Sequence, residues 1–302
     1  MAGNSARPAA SLLERLKGSF YYATNIMNST GQFESIQVEV SDSGVAHLML
    51  NRPQRLNALS KSMLLEICDA MTQFEGDQRV RVIVLSGAGN GFSSGFDLKD
   101  QMERRPKGPQ VWREILDLDF TATMKFWRST KPTIAAVHGP CVAGAFEMAL
   151  ACDMTIAAED SFFGEPELRF GAGIVTMLLP WMTSPKHAKR IILSGQDRVS
   201  AKLAMEMGLV SEVTPPGEHL DCALRIARNI ARMDPDLVQQ TKKAIQRTYD
   251  IQGLEAALAT ALDIDHAIES HGSPDKVQFM DIARSGGLKA ALEWRAQRFE
   301  EE

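Results

Sequence analysis

Two glycine-containing segments of the chain have the residue types needed to stabilise a negative charge on oxygen. They are Gly91–Lys99 and His138–Glu147, and in each one glycines precede residues that are typical of a helix start. The first turn of a helix leaves backbone N–H groups without intrahelical partners and places the positive end of the helix dipole beside them. If both segments point at one position, their N–H groups form a pair of donors for a developing oxyanion.

Two glutamates are candidates for acid–base chemistry. Glu147 lies three residues after Gly144, and on a helix this spacing puts its carboxyl group on the same side as the Gly144 amide. Its sequence neighbours are apolar, which predicts a buried carboxyl group. Glu167 follows twenty residues later. Two carboxyl groups in one dry pocket tend to keep one acid and one carboxylate, and such a pair can contribute about 10²–10⁴-fold by general acid–base catalysis.

Alternating strand and helix patterns would position these residues. Apolar alternation around a glycine turn predicts a hairpin over residues 36–50. The predicted buried strands cover residues 82–85, 133–137 and 154–157. The predicted helices between them cover residues 61–74, 109–127 and 143–151. This order predicts a largely parallel sheet with right-handed crossovers.

The rest of the chain is predicted to be helical, and only helices are expected from about residue 218 onward. Helix N-caps are predicted at Ser184, Ser200, Asp234 and Ser273. Glycines of the kind that end helices follow at Gly195 and Gly208.

The composition is typical of a globular protein and excludes several classes of function. The chain has 302 residues, of which 44% are hydrophobic and 24% are charged, so it can bury a large core. Its formal net charge is −5. The chain therefore lacks the overall excess of basic residues that would predict binding to nucleic acid or to an anionic membrane. The four cysteines lack metal-type spacing and predict reduced thiols of a cytoplasmic protein. We expect no metal site and no membrane span.

Residues 1–32 are interpreted as an N-terminal extension. Ser11–Lys17 has the pattern of one or two amphipathic helical turns. Its basic residues are also typical of a mitochondrial transit peptide, whereas Glu14 and a weak apolar stripe argue against one. We therefore expect a cytoplasmic protein, with the mitochondrial matrix as the alternative location.

Together these motifs resemble the signature of the crotonase (enoyl-CoA hydratase/isomerase) superfamily, and most of all an enoyl-CoA hydratase. Asn51-Arg52-Pro53 with Asn57-Ala58-Leu59, and Glu165-Pro166-Glu167, add to the resemblance, which extends over residues 33–299. It implies an α/β fold of the ClpP/crotonase type. A ββα spiral core with the acyl-CoA site would occupy residues 33–217, and a helical trimerisation region would occupy residues 218–302.

The resemblance also implies a role for each candidate residue. The backbone N–H groups of Phe96 and Gly144 would stabilise the enolate oxygen of an acyl-CoA thioester. Glu147 would polarise a water molecule for attack at the β-carbon, and Glu167 would deliver a proton to the α-carbon. The implied reaction is syn addition of water to a 2-enoyl-CoA, giving a 3-hydroxyacyl-CoA. Coenzyme A enters as part of the substrate, so no separate cofactor is expected.

The same resemblance implies a set of residues that bind coenzyme A. Those expected near the pantetheine are Arg55, Leu56 and Ala58. Those expected towards the adenine are Ser94, Gly95, Asp97, Leu98 and Lys99. Arg55 and Lys99 could offset phosphate charge. In trimers or hexamers of the family, an aromatic residue and a lysine near the C-terminus reach a neighbouring subunit's ligand. The candidates here are Phe279 and Lys289.

One segment departs from the hydratase pattern. Typical hydratases have a proline- and glycine-rich loop after the second glutamate, whereas this chain has Phe170–Trp181, which is shorter by about two residues. Because that loop shapes the acyl pocket, the acyl chain length and the type of reaction stay open.

Several alternative functions also stay open. Within the family, an isomerase can work with one carboxylate, and a thioester hydrolase or a carbon–carbon lyase would share the oxyanion donors. A dienoyl-CoA isomerase would need a further acidic residue near Ile174 or Val175, which is absent. Outside the family, Gly91–Gly95 also fits the nucleophile elbow of serine hydrolases, with His266 or His271 as the base. A non-enzymatic scaffold is the third class.

Overall fold

The computed structural model of the protein describes residues 33–299, within which nine strands form two sheets. The strands are β1 (Ile36–Val40), β2 (Val45–Leu50), β3 (Val82–Gly87), β4 (Thr133–Val137), β5 (Pro140–Val142), β6 (Met154–Ala158), β7 (Phe162–Gly164), β8 (Val199–Ser200) and β9 (Glu212–Thr214). The larger sheet has the order β1-β2-β3-β4-β6-β9, and only its β1–β2 hairpin is antiparallel. The smaller sheet has the order β5-β7-β8. The predicted N-terminal extension lies outside the described residues.

Eleven α-helices and two 3-10 helices accompany these strands in the described part of the chain. The α-helices are α1 (Lys61–Gly76), α2 (Leu98–Arg104), α3 (Pro109–Arg128), α4 (Gly144–Ala151), α5 (Leu179–Met182), α6 (Pro185–Ser194), α7 (Ala201–Glu206), α8 (His219–Ala231), α9 (Pro235–Gln252), α10 (Leu254–His271) and α11 (Pro274–Gln297). The 3-10 helices are Pro53–Arg55 and Glu167–Phe170. None of these helices has the length and apolarity that crossing a bilayer requires.

The central strands are apolar along their whole length because both faces of the sheet are covered. On one face, Val84 and Ile134 pack against Ala223 and Ala227 of α8. The alternate residues, such as Ile83, point to the opposite face and are also fully buried. Since α8 begins just after the predicted boundary at residue 218, the helical region contributes directly to the core of the sheet.

The predicted elements agree with the structure to within about two residues at most bounds. The hairpin, the three buried strands and the helices at 61–74, 109–127 and 143–151 are all present. The four predicted N-cap side chains each accept a hydrogen bond from the backbone N–H three residues later. The sequence prediction missed the short strands β5, β7, β8 and β9 and the helix α2. These elements have seven residues or fewer, which is too short for a clear apolar period.

A buried lysine connects α9 to the larger sheet. Lys242 Nζ donates to the carbonyl oxygen of Lys131 at 2.9 Å and pairs with Asp153 Oδ2 at 2.6 Å. The same carboxylate oxygen accepts from the backbone N–H and the hydroxyl group of Thr133, at 2.7 Å and 3.1 Å. Because Thr133 begins β4 and Asp153 directly precedes β6, this network fixes α9 at the ends of two neighbouring strands.

We expect Lys242→Met to lower the free energy of unfolding by about 1–3 kcal/mol, because it removes the donor from two oxygens that are largely shielded from water. Urea unfolding measures the change. Arg247→Met is the matched control on the same helix, since its exposed pair with Asp250 spans 3.8 Å and should contribute less than about 0.5 kcal/mol. Equal losses in the two variants would contradict the role assigned to Lys242.

Candidate active site

The two glycine segments lie side by side at the start of α4. The backbone N–H of Ser93 donates to the carbonyl oxygen of Pro140 at 3.0 Å, which joins the first segment to β5. Further along, Gly95 packs so closely on the second segment that a Cβ there would lie 2.6 Å from Ala143 Cβ and 3.3 Å from Gly144 N. The structure therefore brings the two predicted donor segments together, and the close approach requires glycine.

Phe96 and Gly144 present backbone N–H groups at this junction. Within residues 33–299 neither group donates a backbone hydrogen bond, whereas the N–H groups of the adjacent Asp97 and Ala143 do so at 3.1 Å and 2.8 Å. Gly144 is the first residue of α4, so its amide lies at the positive end of the helix dipole. The Phe96 ring covers the Cα of Gly144, and any Cβ there would overlap the ring. Two N–H groups without a backbone acceptor therefore lie at the junction of the two segments.

Ala143 holds the Gly144 amide in a strained backbone conformation. Its φ of 59° and ψ of −141° lie in a region that residues with a side chain rarely adopt, at a cost of about 1–3 kcal/mol. The Ala143 N–H donates to Gly164 at 2.8 Å, and its carbonyl oxygen accepts from Phe146 at 2.8 Å. Because ψ of Ala143 sets the direction of the next peptide, these bonds keep the Gly144 N–H pointing away from the helix.

Glu147 is buried on α4, with 2% of its surface exposed. One carboxyl oxygen, Oε1, accepts the backbone N–H of Thr176 at 2.8 Å. Burial raises the pKa of Glu147 well above its usual range and the charge of Glu167 raises it further, while the bond from Thr176 opposes the shift. Thr176 belongs to the segment that departs from the hydratase pattern, so this segment positions the first candidate carboxyl group.

Glu167 is also buried, and a second glutamate accompanies it. Burial is the main cause that raises the pKa of Glu167 to about 7. Its neighbour Glu165 is also buried, and the pKa of Glu165 is raised well above its usual range by burial and by the charges of Glu167 and Glu147. The site therefore contains three neighbouring carboxyl groups rather than two.

The expected coenzyme A residues lie on two segments that hydrogen-bond to each other. The N–H of Leu59 donates to Gly95 at 2.9 Å, and the N–H of Ser94 donates to Leu56 at 3.0 Å. Leu56 has a φ of 48° and is 43% exposed. The side chains of Arg55 and Lys99 are also exposed, and neither forms an ion pair within the described range. Ala58, Ser94 and Leu98 are half-buried, and Gly95 is buried.

Asp97 has a structural role at this surface, because both of its carboxylate oxygens accept hydrogen bonds from within the chain. Oδ1 caps α2 by accepting the backbone N–H groups of Lys99 and Asp100, at 3.0 Å and 3.1 Å. Oδ2 accepts from Arg52 at 2.8 Å, and the same guanidinium nitrogen donates to the carbonyl oxygen of Ala58. Asp97 therefore holds this loop in place, and its predicted contact with the adenine stays a prediction.

Phe279 and Lys289, the predicted contacts to a neighbouring subunit's ligand, differ in their exposure. Phe279 is completely buried and packs against Phe170 of its own chain, with 5.3 Å between ring centroids. Its ring therefore contributes to the core of its own subunit. Lys289 is exposed on α11, 3.8 Å from Glu293 one turn away. The roles of Phe279 and Lys289 towards a neighbouring subunit's ligand stay predictions.

The serine-hydrolase alternative is wrong. Ser93 is fully buried, and its hydroxyl group donates to the carbonyl oxygen of Asn57 at 2.8 Å. The two candidate bases bond to backbone carbonyl oxygens instead: His266 to that of Pro109, and His271 to that of Ala267. The glycines of this segment therefore serve the loop and not a nucleophile elbow.

Sequence reasoning missed three groups that act on the site. Arg295 of α11 lowers the pKa of Glu167 through its charge and lies 3.5 Å from Asp197. Asp265 and Glu269 of α10 are buried, and the charge of Asp265 raises the pKa of the candidate Glu147. The signal for these two was present, because they continue the buried stripe of α10 formed by Leu254, Leu258 and Leu262. An acidic residue on an apolar face marks a buried carboxyl group.

We expect Glu167→Gln to stabilise the protein at about pH 8 but not at about pH 4. The pKa of Glu167 is raised from an ordinary value of 4.5 to about 7, so the folded state retains a proton that the unfolded state loses. Stability is therefore lost as the pH rises through this range, by about 3 kcal/mol in total. Glutamine mimics the protonated acid and removes this loss.

Urea unfolding at both pH values measures the difference. The exposed Glu159→Gln is the control, and its effect should not grow with pH. A gain for Glu167→Gln that is the same at both pH values would contradict the raised pKa.

Comparison with known proteins agrees with this geometry. A family model described as enoyl-CoA hydratase/isomerase matches residues 41–302. A crystal structure of an enoyl-CoA hydratase/isomerase from Xanthobacter autotrophicus Py2 has a TM-score of 0.88 and 56% identity, covering 89% of this chain and 100% of that one.

Two further relatives have different activities. Hydroxycinnamoyl-CoA hydratase-lyase of Pseudomonas fluorescens is 29% identical over 83% of this chain and 94% of its own length. A peroxisomal Delta(3,5)-Delta(2,4)-dienoyl-CoA isomerase of Arabidopsis thaliana is 32% identical over 80% of this chain and 95% of its own length. With its α/β spiral core, its paired backbone donors and its buried glutamates, the chain belongs to the enoyl-CoA hydratase/isomerase family of the crotonase superfamily.

Proposed function

We propose that the protein is an enoyl-CoA hydratase, which adds water syn across a 2-enoyl-CoA thioester to give a 3-hydroxyacyl-CoA. The observation that carries this proposal is the pairing of two buried glutamates, Glu147 and Glu167, with the two free N–H groups of Phe96 and Gly144. Hydration needs one group that takes a proton from water and one that gives a proton to carbon. It also needs donors for the oxygen that becomes negative between these events.

The thioester carbonyl oxygen is proposed to bind between the N–H groups of Phe96 and Gly144. As water attacks the β-carbon, the electrons of the double bond move onto this oxygen and form an enolate. Each donor in such a hole is typically worth about 2.7–4 kcal/mol of barrier height. The strained backbone of Ala143 supports this oxyanion role. A strained conformation persists only where surrounding bonds hold it in place, and such residues cluster at active sites.

Glu147 is proposed to accept a proton from the attacking water, whose oxygen forms the new bond to the β-carbon. The enolate then collapses and takes the proton of Glu167 at the α-carbon. Once Glu167 is a carboxylate, the positive charge of Arg295 stabilises it. A proton passed from Glu147 back to Glu167 restores the starting state, so the sum of the steps is the addition of one water molecule.

Coenzyme A is proposed to enter as part of the substrate, with no separate cofactor. Its phosphates would meet Arg55 and Lys99, which are exposed cations at the edge built by the two paired segments.

We also propose a cytoplasmic homotrimer or dimer of trimers. Supporting this assembly are exposed apolar side chains of the C-terminal helices, among them Leu237, Ile245, Ile251, Ile264 and Val277.

Glu147→Gln and Glu167→Gln should each lower kcat/KM for hydration by at least about 10²-fold, because each removes one proton-transfer step. Loss of the conjugated-thioester absorbance of crotonyl-CoA, and of a longer or aromatic enoyl-CoA, measures the rate. Glu159→Gln, at an exposed glutamate, is the control. An isomerase would instead tolerate the loss of one carboxylate and would leave no hydrated product. Thioester binding without hydration in the wild type would refute the proposal.

Gly144→Ala should lower kcat by about 10²–10³-fold with a smaller effect on KM, because its Cβ would displace the Phe96 ring and misdirect one donor. Gly76→Ala is the control, since a Cβ there meets open space. Steady-state kinetics with the same enoyl-CoA, and a circular dichroism spectrum to verify folding, make the measurement. Unchanged kcat in folded Gly144→Ala would exclude these amides as the oxyanion donors.

A further inference from the structure

A second group of carboxyl groups lies next to the Glu147–Glu167 pair, on α3 and α10. Asp119, Asp265 and Glu269 are 8%, 2% and 5% exposed. Lys276 of α11 forms an ion pair with Glu269, and its ammonium group lies 4.5 Å from the ring centroid of Trp112. Within residues 33–299, Asp119 and Asp265 have no ion-pair partner. Within the described residues, an ion pair therefore balances the charge of only one of these three carboxyl groups.

Asp265 is the most deeply buried member of this group, with 2% of its surface exposed. Both of its carboxyl oxygens are buried, and neither has a hydrogen-bond partner among the described residues. The Oδ1 atom lies directly against the Cα of Gly173, where any Cβ would overlap it. Burial raises the pKa of Asp265 to about 7, and the charge of Glu269 adds to the shift. An unsatisfied buried acceptor is costly, so these oxygens are suited to bond with a polar group of a bound ligand.

The segment from Gly173 to Thr176 links this group to the catalytic carboxyl groups. The Gly173 N–H donates to Glu269 Oε1 at 3.2 Å, and the Thr176 N–H donates to Glu147 Oε1 at 2.8 Å. The charge of Asp265 reaches both Glu147 and Glu167 and raises the pKa of each. The unpartnered oxygens of Asp265 therefore lie beside the proposed acid–base pair.

We propose that Asp265 binds a hydroxyl group on the acyl chain and thereby selects hydroxylated acyl-CoA thioesters. This inference rests on the proposed acyl-CoA function. A hydroxyl group donates and accepts, so it can bond to a carboxyl group in either protonation state. An acyl chain ending in a carboxylate would be repelled by Asp119, Asp265 and Glu269. A purely apolar chain would leave the Asp265 oxygens unsatisfied.

Binding of saturated acyl-CoA thioesters tests this preference separately from the reaction, because saturated chains cannot be hydrated. A series of increasing chain length and its terminally hydroxylated counterparts would be titrated calorimetrically into the full-length protein. At the length that reaches Asp265, we expect the hydroxylated thioester to bind at least about tenfold more tightly than its plain counterpart.

Variants of Asp265 then assign the preference to this side chain. Asp265→Leu should reduce the preference to below about twofold, since it removes both oxygens at similar volume. Asp265→Asn keeps groups that bond to a hydroxyl and should retain most of the preference. Asp263→Leu is the matched control, because Asp263 is exposed on the same helix, and it should leave the preference unchanged.

Three outcomes would overturn the inference. They are equal binding of hydroxylated and plain thioesters at every length, a preference that survives in Asp265→Leu, and a preference that Asp265→Asn abolishes as completely as Asp265→Leu does. If no thioester binds at all, this inference and the proposed function both fail. If the Asp265-dependent preference is found but enoyl-CoA is not hydrated, only the hydratase proposal fails.

Discussion

Repulsion among buried carboxyl groups is the constraint on which the site depends. Burial alone disfavours the ionised form of a carboxyl group, and each ionised neighbour disfavours it further. Here Glu147, Glu165 and Glu167 lie together, and Asp265 adds its charge from α10. Burial and mutual repulsion therefore raise the pKa of each of these carboxyl groups.

The protein limits the cost of this arrangement with backbone N–H groups more than with cations. Thr176 donates to Glu147 and Gly173 donates to Glu269, while Lys276 pairs with Glu269. A backbone donor stabilises a carboxylate without adding a mobile side chain or a full positive charge. The loop that carries both donors therefore couples the acid–base centre to α10, and the departure of this loop from the hydratase pattern becomes a structural feature of the site.

Much of the site could be predicted from sequence because its parts are local. The free N–H groups of Phe96 and Gly144 follow from glycine turns that begin helices, and Glu147 follows from its spacing within one helix. The strands were recognisable because continuous apolar runs are required when helices cover both faces. By contrast, Asp97 caps a helix of only seven residues, and Phe279 packs against Phe170. Neither contact leaves a periodic signal.

The sequence by itself determined the elements, the paired donors and the two glutamates, because each depends on residues within one turn or one strand. Only the tertiary structure decided that Glu165 is buried beside Glu147, that Asp265 lies against Gly173, and that α11 packs on its own subunit. The sequence around one residue of such a contact does not indicate where the other residue will lie. Their relative positions are set by how the helices pack over the sheet, which is a property of the whole core.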